Sequence, residues 1–172
     1  MAGGDRPSRS AVALSPGSLR PRPIPAGQSL LIDTSALIAY FEEADAVAAA
    51  ARSVIDGAVR SGRNRAVVSA VSVMELLVRP LRSGVPETYR GIVEFLTRFP
   101  GIGIQDVTFA VAREAAWLRA SNGLGSADAL IVASGIVAGT RHVLTNDRAW
   151  VQRLAPIADR LAVHYLGAVA RG

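Results

Sequence analysis

The chain is 172 residues long, half of them hydrophobic, with a formal net charge of +5 and a pI of 10.9. That length predicts one domain with a sizeable core, and no apolar run reaches the roughly 20 residues of a membrane span. Cysteine is absent and all 19 basic residues are arginine, which excludes disulfides, zinc–thiolate sites, cysteine nucleophiles, lysine Schiff bases and a P-loop ammonium.

Residues 1–29 contain prolines at 7, 16, 21, 23 and 25, with four arginines and one aspartate that carry +3 of the +5. Nothing there can bury an apolar face, so the segment reads as a disordered or loosely docked arm before a folded domain over 30–172. Its apolar run, Ala11 to Leu14, is too short for a signal-peptide core, so retention in the cytoplasm is the expectation. A solvated tail and a tether for a polyanion both fit its charge.

From Ser29 the text alternates. Leu30–Ile32 predicts a buried strand and Thr34–Phe41 a helix directly after it. Ala44–Ser61 has helical spacing that Gly62 ends, Arg65–Ser69 a second strand, and Val71–Leu81 a helix closed near Pro80 and Gly84. Pro86 suits the first turn of a helix running to Phe99. Ile102–Gln105 is a third strand, followed by helices over Thr108–Ser121 and Ser126–Ala138. His142–Thr145 is a fourth strand, Arg148–Leu154 a short helix, and Leu161–Tyr165 a last, edge-like strand. Strand and helix in alternation predict an α/β fold with a parallel sheet covered on both faces.

Four acids stand at or near the ends of these apolar runs: Asp33 after SLLI, Glu75 in SVMELL, Asp128 opening ADALIVAS, and Asp147 in VLTND. Each has a structural explanation. Asp33 and Asp147 can cap the helices that follow, Asp128 can answer the dipole of a helix capped by Ser126, and Glu75 can pair with Arg79 one turn on. Together they are more specific, because the carboxyl edge of an open α/β sheet is where ligands bind. Carboxylates gathered there repel one another and call for a cation or shared protons. Oxygen donors of this kind suit Mg²⁺ or Mn²⁺. His142 and His164 lie in apolar strands and read as packed or edge residues rather than ligands.

The ordered run LLIDTSALIAYF, SVMELL, SADALIVAS and VLTNDRAW resembles the PIN-domain ribonucleases, most closely the VapC-type toxins of bacterial toxin–antitoxin pairs. The likeness covers about residues 29 to 166. It implies a three-layer α/β/α sandwich around a mainly parallel sheet of four to five strands. It places the family's acidic positions on Asp33, Glu75, Asp128 and Asp147, and its hydroxyl and amide helpers on Thr34 or Ser35 and on Thr145 and Asn146. The arm before residue 30 departs from the family's usual start.

The chemistry these parts allow is hydrolysis of an RNA phosphodiester by water, with Mg²⁺ or Mn²⁺ held by Asp33, Asp128 and Asp147. Glu75 would position or deprotonate the water, or orient a ligand. Arginines contact phosphate best, and Arg79, Arg82 and Arg148 are nearest the acids in sequence. Trp150, and less so Trp117, could stack on bases. The apolar helices from Ala44 and from Pro86 suggest an interface. The resemblance implies a homodimer, an RNA substrate and a cognate antitoxin that inserts a segment near the acids. Two rival classes remain: a non-catalytic nucleic-acid-binding module of the same fold, and an aspartate-nucleophile phosphohydrolase. The second lacks its usual partners, since position 35 is Ser and lysine is missing.

Overall fold

The computed structural model describes residues 24–42 and 45–169. Most of the expected N-terminal arm, residues 1–23, lies outside the described residues. Residues 24–28 rest against the domain. Ile24 is buried in the core, and Asn64, itself buried, donates its amide hydrogens to the carbonyls of Pro25 (2.7 Å) and Gln28 (2.8 Å).

Five parallel strands form one sheet: β1 (Ser29–Ile32), β2 (Arg65–Ser69), β3 (Ile102–Gln105), β4 (His142–Thr145) and β5 (Ala162–Tyr165), in the spatial order β3-β2-β1-β4-β5. The chain moves outward from β1 to β3, then returns to add β4 on the other side of β1. Strand order therefore reverses between β1 and β4, and a crevice opens there at the carboxyl ends. The register brings Ile32 opposite Leu144, and the Asp33 amide donates to the Leu144 carbonyl at 3.0 Å, so the ladder continues to the first acid.

Alternation along β1 feeds two cores. Leu30 and Ile32 face one layer made by helices α1 (Thr34–Phe41), α2 (Ala46–Val54), α3 (Ala70–Ser83) and α4 (Pro86–Arg98). Leu31 faces the other, made by α5 (Phe109–Asn122), α6 (Ser126–Val137) and α7 (Ala149–Arg153). The result is the expected α/β/α sandwich. A four-residue helix, α8 (Leu166–Val169), closes the described chain. No described helix is long and apolar enough to cross a membrane.

Several local expectations shift. The helix predicted over Ala44–Ser61 is α-helical only for Ala46–Val54, and Ile55–Arg60 widens into a π-helical turn. Helix α3 runs through Pro80, ending at Gly84, whose φ of +64° suits a residue without Cβ. Ser126 does not cap α6; Gly125 holds that position and Ser126 begins the helix. The apolar face of α2 is not spare surface for an interface: Ala48, Ala50 and Ala51 are buried in this domain's own core, as are Ile92 and Leu96 of α4.

The two histidines meet across β4 and β5, with His142 Nδ1 3.0 Å from His164 Nε2. Desolvation holds His142 below its ordinary value of 6.5. The unfolded chain therefore takes up a proton first as the medium acidifies, so stability present above pH 6.5 is lost as pH falls through the folded value. Acidification from pH 7.5 to about 5 should therefore lower the thermal midpoint of the wild type relative to that of His142→Gln.

Candidate active site

The first acid follows from the end of β1. Asp33 caps α1, and hydrogen bonds from its neighbours gather on Oδ2: Ser35 Oγ donates at 2.5 Å, the Ser35 amide at 3.3 Å and Thr145 Oγ1 at 2.8 Å. Capping and site roles thus coincide. Asp33 is only 4% exposed, and burial pushes its carboxyl above the usual range even though these donors pull the other way.

The same hydroxyls tie the end of β4 to α1. Ser35 Oγ accepts from the Asn146 amide at 2.8 Å, and Thr145 Oγ1 accepts from the Asp147 amide at 3.0 Å. Asp147 in turn receives the Ala149 amide on Oδ1 at 2.8 Å, which fixes its carboxylate at the start of α7. Thr145 is wholly buried beneath this loop. The backbone of Asn146, rather than its side chain, makes the observed contact.

Glu75 does not pair with Arg79. Its Oε2 accepts from Thr34 Oγ1 at 2.6 Å, and the same Thr34 oxygen lies 2.9 Å from Ser72 Oγ. The single Thr34 hydroxyl hydrogen is thus shared between the Glu75 carboxylate, the nearer acceptor, and Ser72 Oγ. Ser72 is a site residue the sequence reading missed, although it shares a helix face with Glu75. It is fully buried and braces α3 against α1.

Asp128 stands in the first turn of α6 with Oδ2 3.9 Å from Arg153 Nη1, a second residue missed in the sequence. Burial raises its carboxyl first, and the charge of Asp147 adds to that, against the pull of Arg153. The mutual repulsion expected of gathered carboxylates is therefore present.

All four acids line one cavity of about 430 Å³ together with Thr34, Ser35, Ile38, Val78, Ile131 and Trp150. Among the described residues no three acids or histidines stand close enough to hold one ion as the side chains lie. The donor set nevertheless fits a hard divalent cation: it is all carboxylate, partly buried and mutually repelling. Asp33, Asp128 and Asp147 flank the strand-order reversal and would hold such an ion, with a turn of one or more side chains.

The expected phosphate contacts divide. Arg79 is exposed on the wall of a second groove of about 450 Å³, which shares Ile38 and Glu75 with the acidic cavity. Arg148 is exposed directly after Asp147, whereas Arg82 lies on the last turn of α3, away from both cavities. Among the described residues none of the three forms an ion pair. Trp150 cannot stack on a base, because it is 1% exposed. Trp117 is the accessible tryptophan, and the Arg160 guanidinium lies 5.3 Å from its ring centroid.

The family model described as "PIN domain" matches residues 30–155. No curated protein matches by sequence. The fold is similar to that of VapBC2 from Rickettsia felis bound to a DNA fragment from its promoter, at 14% identity and a TM-score of 0.62 over 80% of this chain and 98% of that one. It is also similar to FitAcB from Neisseria gonorrhoeae, at 18% identity and a TM-score of 0.61 over 80% and 98% of the two chains. A third similar structure is Mycobacterium tuberculosis VapC20, described as a sarcin–ricin loop cleaving toxin, at 17% identity and a TM-score of 0.56 over 69% and 90%.

Proposed function

The chain belongs to the PIN-domain family, and on that premise we propose that it is a metal-dependent endoribonuclease, the toxin of a toxin–antitoxin pair. The observation that carries this reading is the lining of one cavity, at the strand-order reversal, by Asp33, Glu75, Asp128 and Asp147. The structural relatives support the biology: several are toxin–antitoxin complexes and one is described by the RNA loop it cleaves.

In this reading Asp33, Asp128 and Asp147 hold Mg²⁺ or Mn²⁺. A bound divalent cation supplies Lewis acidity and neutralises charge on the phosphoryl oxygens. The protein's own groups do the rest. Ser35 and Thr145 fix the Asp33 carboxylate, and the Ala149 amide fixes Asp147. Glu75, aimed by Thr34, accepts a proton from the attacking water or orients it. Arg79, in the adjoining groove, and Arg148, directly after Asp147, receive backbone phosphates, and Arg82, away from both cavities, contributes least. Thr34→Val removes the donor to Glu75 and should lower kcat about tenfold to a hundredfold with little change in KM for RNA, measured on a fixed cleavage site.

The groove beside the cavity suits an antitoxin segment. Ile38 and Phe41 line it, and Met74, Val78 and Leu81 are exposed on α3 beside it. An arginine on that segment could reach Glu42 and Glu75 in the groove wall. A homodimer and a cytoplasmic location complete the reading, as does an N-terminal arm over residues 1–29 preceding the nuclease domain of 30–172. Exposed Ile104, Val107 and Phe109, beside edge strand β3, offer a dimer surface in place of α2.

The test is incubation of tRNA and rRNA fragments, and DNA of matching sequence, with the purified chain in Mg²⁺, Mn²⁺ or EDTA. Discrete RNA cuts that vanish in EDTA are expected. RNA binding without cleavage in any condition would instead favour the non-catalytic module.

A further inference from the structure

Three of the four acids are held by a fixed donor: Asp33 by Ser35 and Thr145, Glu75 by Thr34, and Asp147 by the Ala149 amide. Asp128 is the exception among the described residues. Its ion pair is the loose 3.9 Å contact with Arg153, whose side chain is 46% exposed, and the neighbouring Trp150 indole is the weakest of the influences on its carboxyl. Solvent screens such a pair, and it does little to choose one carboxylate orientation.

The same cavity holds a buried donor that reaches toward Asp128 without completing a hydrogen bond. The Trp150 indole is 1% exposed, and its Nε1 has no hydrogen-bond partner among the described residues. A buried N–H that water cannot reach is disfavoured unless a partner arrives. The same ring lines the acidic cavity with Asp128, and its N–H favours the ionised form of that carboxyl. The orphan donor and the unfixed carboxylate are complementary.

We propose that Trp150 is a positioning residue: its indole N–H takes one oxygen of the Asp128 carboxylate and turns the other toward Asp33 and Asp147, completing the divalent-cation site. Two observations favour this over a purely structural indole. As they stand, no three acids among the described residues close on one point, so at least one must turn. Asp128 is the least firmly held of the four, and a directional bond from a buried indole fixes an orientation that a screened ion pair does not. Outer donors that orient a ligating carboxylate typically change metal affinity tenfold to a hundredfold when removed. The inference rests on the metal-dependent reading above, and the experiment separates the two.

Mn²⁺ alone is titrated calorimetrically into the full chain, wild type and Trp150→Phe, which keeps a ring in the core but removes the N–H. The expected result is a Kd for Mn²⁺ raised about tenfold or more, with the thermal midpoint of the metal-free protein lowered only by the cavity that the smaller ring leaves. Cleavage by Trp150→Phe should recover as Mn²⁺ is raised, with KM for RNA unaltered. Should that variant fail to fold, substitution of the Trp150 indole by benzothiophene keeps the bicyclic shape without the N–H, and the same titration decides. Wild-type affinity in a folded variant of either kind overturns the positioning role and leaves the metal reading intact. Absence of Mn²⁺ binding in the wild type overturns both.

Discussion

Asp33→Asn is expected to abolish RNA cleavage while making the metal-free protein more stable. Loss of a carboxylate that holds the cation removes several kcal/mol of transition-state stabilisation, at least about a thousandfold in rate. Stability moves the other way because burial holds the Asp33 carboxyl above its ordinary value of 3.8. Below that value both folded and unfolded chains are protonated and the group costs nothing. As pH rises the unfolded chain releases its proton first, so the fold loses stability up to the folded value and bears a constant penalty above it. Asparagine carries no charge and can still accept from Ser35 and Thr145. The variant's thermal midpoint should therefore exceed that of the wild type at neutral pH, by about 2–4 °C per kcal/mol for a domain of this size. The gap should close near pH 3, and Mn²⁺ should raise the wild-type midpoint alone. Equal midpoints at pH 7 would mean that the site carries no electrostatic strain.

Gly135→Val should be strongly damaging although it lies away from the acids. A Cβ at this position of α6 would lie 2.9 Å from Leu31 Cβ, Leu31 Cδ2 and Thr140 Oγ1. Leu31 belongs to the central strand and is fully buried, so it has nowhere to retreat. Overpacking of this kind costs about 1–3 kcal/mol or more, against a few tenths regained from replacing glycine within a helix. The cost extends to function, because α6 carries Asp128 in its first turn. A helix pushed off the sheet displaces that carboxylate from Asp33 and Asp147. Thermal unfolding should show a midpoint lowered by several degrees, and Mn²⁺ affinity should fall with it. A variant as stable as the wild type would show that the contact between α6 and β1 is looser than these distances imply.

Much of this was legible in the chain because the relevant signals are local. Buried strands announce themselves as apolar triplets and quartets, and acids placed directly after them mark the sheet's carboxyl edge before any packing is known. Asp33 and Asp147 illustrate the limit of that logic. Each was equally well explained as a cap, and each proves to be a cap-type acceptor and a wall of the cavity at once. What sequence could not give was set by tertiary contact. Glu75 had a plausible local partner in Arg79, yet the hydroxyl of Thr34, 41 positions away, takes its carboxylate instead. Trp150 looked like a stacking platform by its place after Asp147, but the fold turns its ring inward beneath the cavity. Arg153 meets Asp128 only through the tertiary fold, at 3.9 Å. The Ala-rich helix read as a spare apolar face, and the small side chains instead let α2 settle closely onto the core. Helix α3 passes through Pro80, itself buried, where local rules favour a stop, and ends within one exposed turn at Gly84.

The central claim is that these four acids make a cation-dependent hydrolytic site that uses water as the nucleophile. End-group analysis of a purified RNA cut by the wild-type chain in Mg²⁺ or Mn²⁺ tests it most directly. Attack by water with departure of the 3′-oxygen leaves 5′-phosphate and 3′-hydroxyl termini, and cleavage should cease in EDTA. Termini bearing a 2′,3′-cyclic phosphate, or cuts that persist in EDTA and in Asp33→Asn, would contradict the account.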